Sequence, residues 1–150
     1  MFRYLILVAF LPAMVFGVEF NRCPAKPAPL DLRVHGCSVQ PCELVRGQDT
    51  VFEIDFTAQS NVKALDTKVY ATVNGIKLPY ALDSKYSKAC NHLVATACPL
   101  DESEEVTVKL SIPVLKIYPK ISLNIEISLV NENEPSIVHS CFNLDTKVVD

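Results

Sequence analysis

Between residues 121 and 129 the chain alternates without a break: Ile121, Leu123, Ile125, Ile127 and Leu129 interleave with Ser122, Asn124, Glu126 and Ser128. Successive side chains of an extended strand point to opposite faces, so this spacing gathers five aliphatic residues on one side. Helical spacing would instead group Ile121 with Asn124, Ile125 and Ser128, mixing polar with apolar. The same two-residue period runs through Val106, Val108, Leu110 and Ile112, through Phe52, Ile54 and Phe56, and more weakly through Leu65, Val69, Ala71 and Val73. Leu30, Leu32 and Val34 mark a first strand, Val138, Phe142, Leu144 and Val148 a last one, and no long helix is written anywhere. Turn signals separate these runs at Gly36, residues 41–47, Asn74-Gly75, residues 83–101, Pro119 and residues 131–135. Six or seven strands at this spacing predict an all-β fold, an immunoglobulin-like β-sandwich of two antiparallel sheets. An ordinary immunoglobulin domain is disfavoured, because the chain has no Trp.

The N-terminus reads as an address. Arg3 precedes an apolar run over residues 4–16 that is too short to span a bilayer, and Val15 and Gly17 supply the small residues a cleavage site prefers. A signal peptide over residues 1–17 is expected, leaving one domain over residues 18–150 and no later membrane anchor. The six cysteines, Cys23, Cys37, Cys42, Cys90, Cys98 and Cys141, form an even set behind that leader and predict three disulfides made in an oxidising compartment. Short loops close at the least entropic cost, which favours Cys37 with Cys42 and Cys90 with Cys98 and leaves Cys23 for Cys141. A metal site from Cys90, His92 and Cys98 is the competing reading, and it lacks close zinc-ligand spacing.

Chemistry is sparse. The formal net charge is −3, one unit more negative once Arg3 leaves with the leader, and the cations are scattered, so nucleic acid is not an expected partner. Gly17, Gly36, Gly47 and Gly75 stand too far apart to cradle a phosphate or to build a nucleophile elbow. His35, His92 and His139 are isolated and read as surface or turn residues. Glu53 and Asp55 read as the solvated edge of the sandwich, Glu102, Glu104 and Glu105 flank a loop, and no carboxylate pair is selected for hydrolysis. No catalytic residue, metal or cofactor is therefore expected, and the chain does not read as an enzyme.

Several segments, in order and spacing, carry a resemblance over nearly the whole mature chain. Glu19-Phe20-Asn21-Arg22-Cys23 opens it, and Pro41-Cys42-Glu43-Leu44-Val45-Arg46-Gly47-Gln48 follows. Asn74-Gly75-Ile76-Lys77-Leu78-Pro79-Tyr80, Cys90 and Ala97-Cys98-Pro99 come next. Ile112-Pro113-Val114-Leu115-Lys116-Ile117-Tyr118-Pro119 and Cys141-Phe142 close the series. Together they resemble the ML lipid-recognition family, in particular its Niemann-Pick C type 2 sterol-carrier branch. The resemblance implies the same cysteine pairing and an apolar cavity between the two sheets. It implies that Tyr80, Val114 and Tyr118 touch ligand near the mouth; read as residues alone, the three fill a core. Phe142, Phe56 and Val73 complete the expected lining.

The expected function is that of a secreted lipid-binding and transfer protein. It would carry a sterol or fatty acid as a monomer and meet a membrane surface or membrane lipid transporter transiently. The alternative is a recognition module for microbial lipids. Burying roughly 400 Å² of lipid at about 25 cal/mol/Å² gives on the order of 10 kcal/mol before association costs. The chain has no Asn-x-Ser/Thr sequon, so extracellular fluid is the expected location, ahead of the lysosomal lumen.

Overall fold

The structure is a computed structural model and describes Ala9 and residues 17–150. The signal peptide expected over residues 1–17 falls, but for Ala9 and Gly17, outside the described residues. Ten strands follow: β1 (Asn21–Arg22), β2 (Asp31–Val34), β3 (Cys42–Val45), β4 (Asp49–Thr57), β5 (Leu65–Val73), β6 (Ile76–Tyr80), β7 (Leu93–Val94), β8 (Glu105–Pro113), β9 (Ser122–Asn131) and β10 (Val138–Val149). One helical turn, α1 (Ser84–Ser87), and one 3-10 turn (Ala89–His92) lie between β6 and β7. That segment, with β7, occupies the stretch over residues 83–101 that reads in sequence as turn.

The strands form two sheets. One runs β1-β10-β9-β5-β6, and the other runs β2-β4-β8-β7. β10 is the spine of the larger sheet: β9 lies along one edge, and β1 and β3 share the other. The segment Cys42–Val45 is thus a strand, where the surrounding Pro and Gly read as a turn. It pairs with β10 in parallel, the one non-antiparallel pairing among the described strands. Parallel strands need a crossover rather than a hairpin, and β4, β5, β8 and β9 all intervene between β3 and β10. Asn74 and Gly75 both adopt positive φ, 50° and 77°, between residues Val73 and Ile76 that pair across β5 and β6. That is the two-residue turn whose twist matches antiparallel strands.

The alternation does what its period predicts. Phe52, Ile54 and Phe56 on β4 and Val106, Val108 and Leu110 on β8 are buried against Ile127 and Leu129 on β9 and Phe142 and Leu144 on β10. Each such side chain contributes about 1.5–3 kcal/mol of transfer free energy. The three disulfides join Cys23 to Cys141, Cys37 to Cys42 and Cys90 to Cys98.

Candidate functional site

The interior is not filled evenly along the strands. Where β4 and β5 end and begin, with Phe56, Ala58, Val62 and Leu65, the two sheets close on each other, and these side chains are at most 2 % exposed. At the other end they part. The start of β4 (Thr50, Phe52), the end of β8 (Ile112, Pro113), the start of β9 (Leu123, Ile125), the middle of β5 (Val69, Ala71) and the tips of β3 and β10 (Leu44, Val148) surround a cavity of about 100 Å³. Thr50 carries the one polar side chain in that lining besides two tyrosines.

The mouth is built by the connection between β8 and β9. Val114 is fixed against the turn after β3 by two backbone hydrogen bonds, Gly47 N–H to Val114 O at 2.6 Å and Val114 N–H to Gln48 O at 2.9 Å. Gly47 sits at φ +81°, and a Cβ there would fall 2.9 Å from Cε of Lys116, whose stem lies across the turn. Tyr118 turns back through its N–H to Leu115 O at 3.1 Å, and Arg46 Nη1 donates to Tyr118 O at 3.2 Å. The loop is therefore tied at both ends to the turn that follows β3. Leu115 and Ile117 face outward from it, Ile117 at 85 % exposure.

Tyr118 meets Tyr80, from the end of β6, in an edge-to-face contact with ring centroids 6.4 Å apart and an interplanar angle of 88°. Their hydroxyls are hydrogen-bonded to each other. Burial, with the Tyr118 hydroxyl alongside, pushes the Tyr80 phenol up to about 12. On the outer side of this pair lies a second recess of about 190 Å³, lined by Tyr80, Tyr118, Pro119, Ile121, Leu123 and Val148. The two tyrosines, with Leu123 and Val148, thus form a shared wall between an inner cavity and an outer groove.

Of the expected lining residues, Tyr80, Val114 and Tyr118 come together here. Phe142, Phe56 and Val73 do not. Phe142 and Phe56 are at most 1 % exposed and stand outside the lining, Phe56 at the closed end and Phe142 level with Ile127 on β9, stacked edge-on against Phe20 at 6.2 Å between centroids. Val73 ends β5 at the hairpin, paired with Ile76 and beyond the lining. Leu44 and Thr50 were absent from the expected set. The apolar alternation of Cys42 and Leu44 was the available signal for the first, hidden by the Pro and Gly that flank it.

The remaining polar candidates resolve differently from their sequence reading. His139 is not a surface or turn residue. It is fully buried on β10, where its Nδ1 accepts the Gln59 N–H at 3.0 Å and its Nε2 faces Asn131 Oδ1. Desolvation lowers its pKa below the ordinary histidine value. Glu53 and Asp55 are not at an edge, since β4 lies between β2 and β8. They project from the outer face of that central strand onto Arg33, which contacts Asp31, Glu53 and Asp55 at 2.7–3.1 Å. Hydrogen bonding to His35 and then Arg33 lowers the Glu53 pKa, and hydrogen bonding to Arg33 lowers that of Asp55. The network satisfies itself on an open sheet face. His92 Nε2 lies 2.9 Å from Lys85 O, and the sulfurs of Cys90 and Cys98 are bonded to each other rather than free to ligate. No helix among the described residues is long and apolar enough to cross a membrane.

Comparison with known proteins agrees with this architecture. The chain is 27 % identical over 152 residues to NPC intracellular cholesterol transporter 2 homolog a of Drosophila melanogaster, covering 99 % of each chain. It is 25 % identical over 130 residues to NPC intracellular cholesterol transporter 2 of Bos taurus, covering 86 % of this chain and 85 % of that one. A crystal structure of a Niemann-Pick type C2 protein from Japanese carpenter ant superposes with a TM-score of 0.75 at 22 % identity, over 87 % of this chain and 99 % of that chain, and so shares the fold. Residues 17–148 match the family model described as the ML domain. The chain belongs to the ML-domain family.

Proposed function

We propose that this protein is a soluble carrier that takes up one sterol or fatty acid between its sheets and hands it to a membrane or a membrane transporter, in extracellular fluid or the lysosomal lumen. One observation carries the reading: an almost wholly apolar cavity, shut at one end by packed core and bounded at the other by a single loop and two tyrosines. A lining without partners forgoes dispersion contacts, and an apolar guest restores them while leaving water itself. Relatives named as cholesterol transporters support the same class of cargo.

At about 100 Å³ the inner cavity is smaller than the ~150 Å³ that admits benzene, so a sterol or fatty acid does not fit it as it stands. Joined across the tyrosines, inner cavity and outer groove approach the ~300 Å³ at which ligand pockets begin. Loading therefore requires the seam to widen as the guest enters. Tyr80, Val114 and Tyr118 are the residues we assign to contact it at the mouth.

Mass spectrometry of an organic extract from natively purified protein is the direct test, with uptake of a fluorescent sterol or fatty acid at about one per chain as its quantitative counterpart. Tyr118→Asp, which sets a charge in the mouth, is expected to weaken uptake at least tenfold. Absence of every lipid class from the extract, together with no uptake of either probe, overturns the reading.

A further inference from the structure

We propose that the paired hydroxyls of Tyr80 and Tyr118 select cargo by its head, favouring an apolar chain or ring system that ends in one hydrogen-bonding oxygen over the same hydrocarbon without it. The inference rests on the carrier reading and concerns what that carrier discriminates.

The two phenols form a hydrogen-bonded pair in the wall that separates the inner cavity from the outer groove. A guest long enough to fill the inner cavity has to pass that wall, with its apolar body inside and its other end level with the rings. Two hydroxyls carry two hydrogens, and the bond between them uses one. The second has no acceptor among the described residues. A guest bearing a hydroxyl or carboxyl at its outer end can accept that hydrogen and replace one phenol as the partner of the other when the rings separate. A hydrocarbon guest separates them equally and offers nothing, leaving part-buried hydroxyls unmatched, which is the costlier outcome.

Two further features fit this role. Thr50 apart, the rest of the lining is apolar: Leu123 and Val148 on both sides, Ile121 and Pro119 outside, Val69, Ala71 and Ile112 inside. Little else nearby competes for a head group. With its phenol pushed up to about 12, Tyr80 stays a neutral donor wherever a carboxylic acid guest is ionised, so its hydroxyl does not repel a carboxylate.

The test is competition. Displacement of the neutral probe phenylnaphthylamine is measured for two matched pairs, cholesterol against cholestane and oleic acid against octadecene. In the wild-type protein the headed member is expected to bind about five- to tenfold more tightly in at least one pair, the scale of one net hydrogen bond. The pair that responds tells sterol from fatty acid. Tyr80→Phe and Tyr118→Phe each keep a ring and lose a hydroxyl, and each is expected to bring the ratio close to one. Tyr70→Phe loses a hydroxyl from the outer face of β5, where the ring lies under Lys77, and is expected to keep the wild-type ratio. Equal affinity for headed and headless guests in the wild type, or a ratio that survives both cavity variants, overturns the proposal while leaving the carrier reading in place. No uptake of any of the five compounds removes the carrier reading itself.

Discussion

Burial holds His139 neutral, and its ring nitrogen is already an acceptor for the Gln59 amide, so protonation would both desolvate a charge and break a hydrogen bond. The folded pKa lies below the unfolded one, hence the unfolded chain binds the extra proton first. Stability from this group is intact above about pH 6.5, the ordinary histidine value, and is lost as pH falls from there through the lowered folded pKa. Chemical denaturation of the wild type is expected to show a falling midpoint from pH 7 to pH 5.5. His139→Gln, less stable at pH 7, is expected to lose most of that slope. A second pair of substitutions separates packing from cargo. Phe142→Leu, outside the lining, is expected to cost about 1–3 kcal/mol in denaturant without altering ligand stoichiometry. Ala71→Phe, which fills the cavity, is expected to abolish uptake with a smaller loss of stability. The contrast also marks how far the site was legible. A two-residue period tells which face of a strand turns inward, and Phe56, Phe142, Val69 and Ala71 all share that property. It carries no information on where along the strand the sheets separate. Only the resemblance around Val114 and Tyr118 pointed to the correct end.

Elements whose character comes from local chemistry were readable, and those set by distant partners were not. Asn74-Gly75 announced its hairpin, and both residues adopt the positive φ that the turn demands. A Cβ on Gly75 would meet nothing within 4 Å, so only its backbone conformation is at stake. Gly75→Ala is thus expected to cost about 1 kcal/mol, measured as a shift in denaturation midpoint with unchanged slope. β3 is the opposite case. Its four residues are framed by Pro41 and Gly47, and what makes Cys42–Val45 a strand is the free edge of β10, a segment about a hundred positions later. Propensity over a short window cannot register such a partner. The turn of helix and 3-10 turn between β6 and β7 were missed for the same reason. They are too short to show a period, and Asp83, whose carboxylate accepts the Lys85 N–H at 2.9 Å, is a cap for barely one turn.

For the molecule as a whole, the disulfides differ in what they constrain. Cys23 and Cys141 are 118 positions apart, against 5 for Cys37 and Cys42. In the chain-entropy model the first is worth about 5 kcal/mol and the second about 2 kcal/mol. Replacing both cysteines of the long pair by Ala is therefore expected to lower the thermal midpoint much further than the same change at the short pair. The overall plan of two sheets and the pairing of the cysteines were present in the pattern of residues. The size of the cavity was not, because volume depends on how side chains from seven strands interlock. The uneven filling of the interior has a mechanical consequence. With Phe56, Ala58, Val62 and Leu65 buried at one extremity, that extremity would act as a fulcrum. Any small splay of the two layers is magnified with distance from it and appears chiefly as displacement of Tyr118 and Val114. Such a molecule would work as a spring clip, its jaws yielding to a guest while its pivot keeps the layers in alignment.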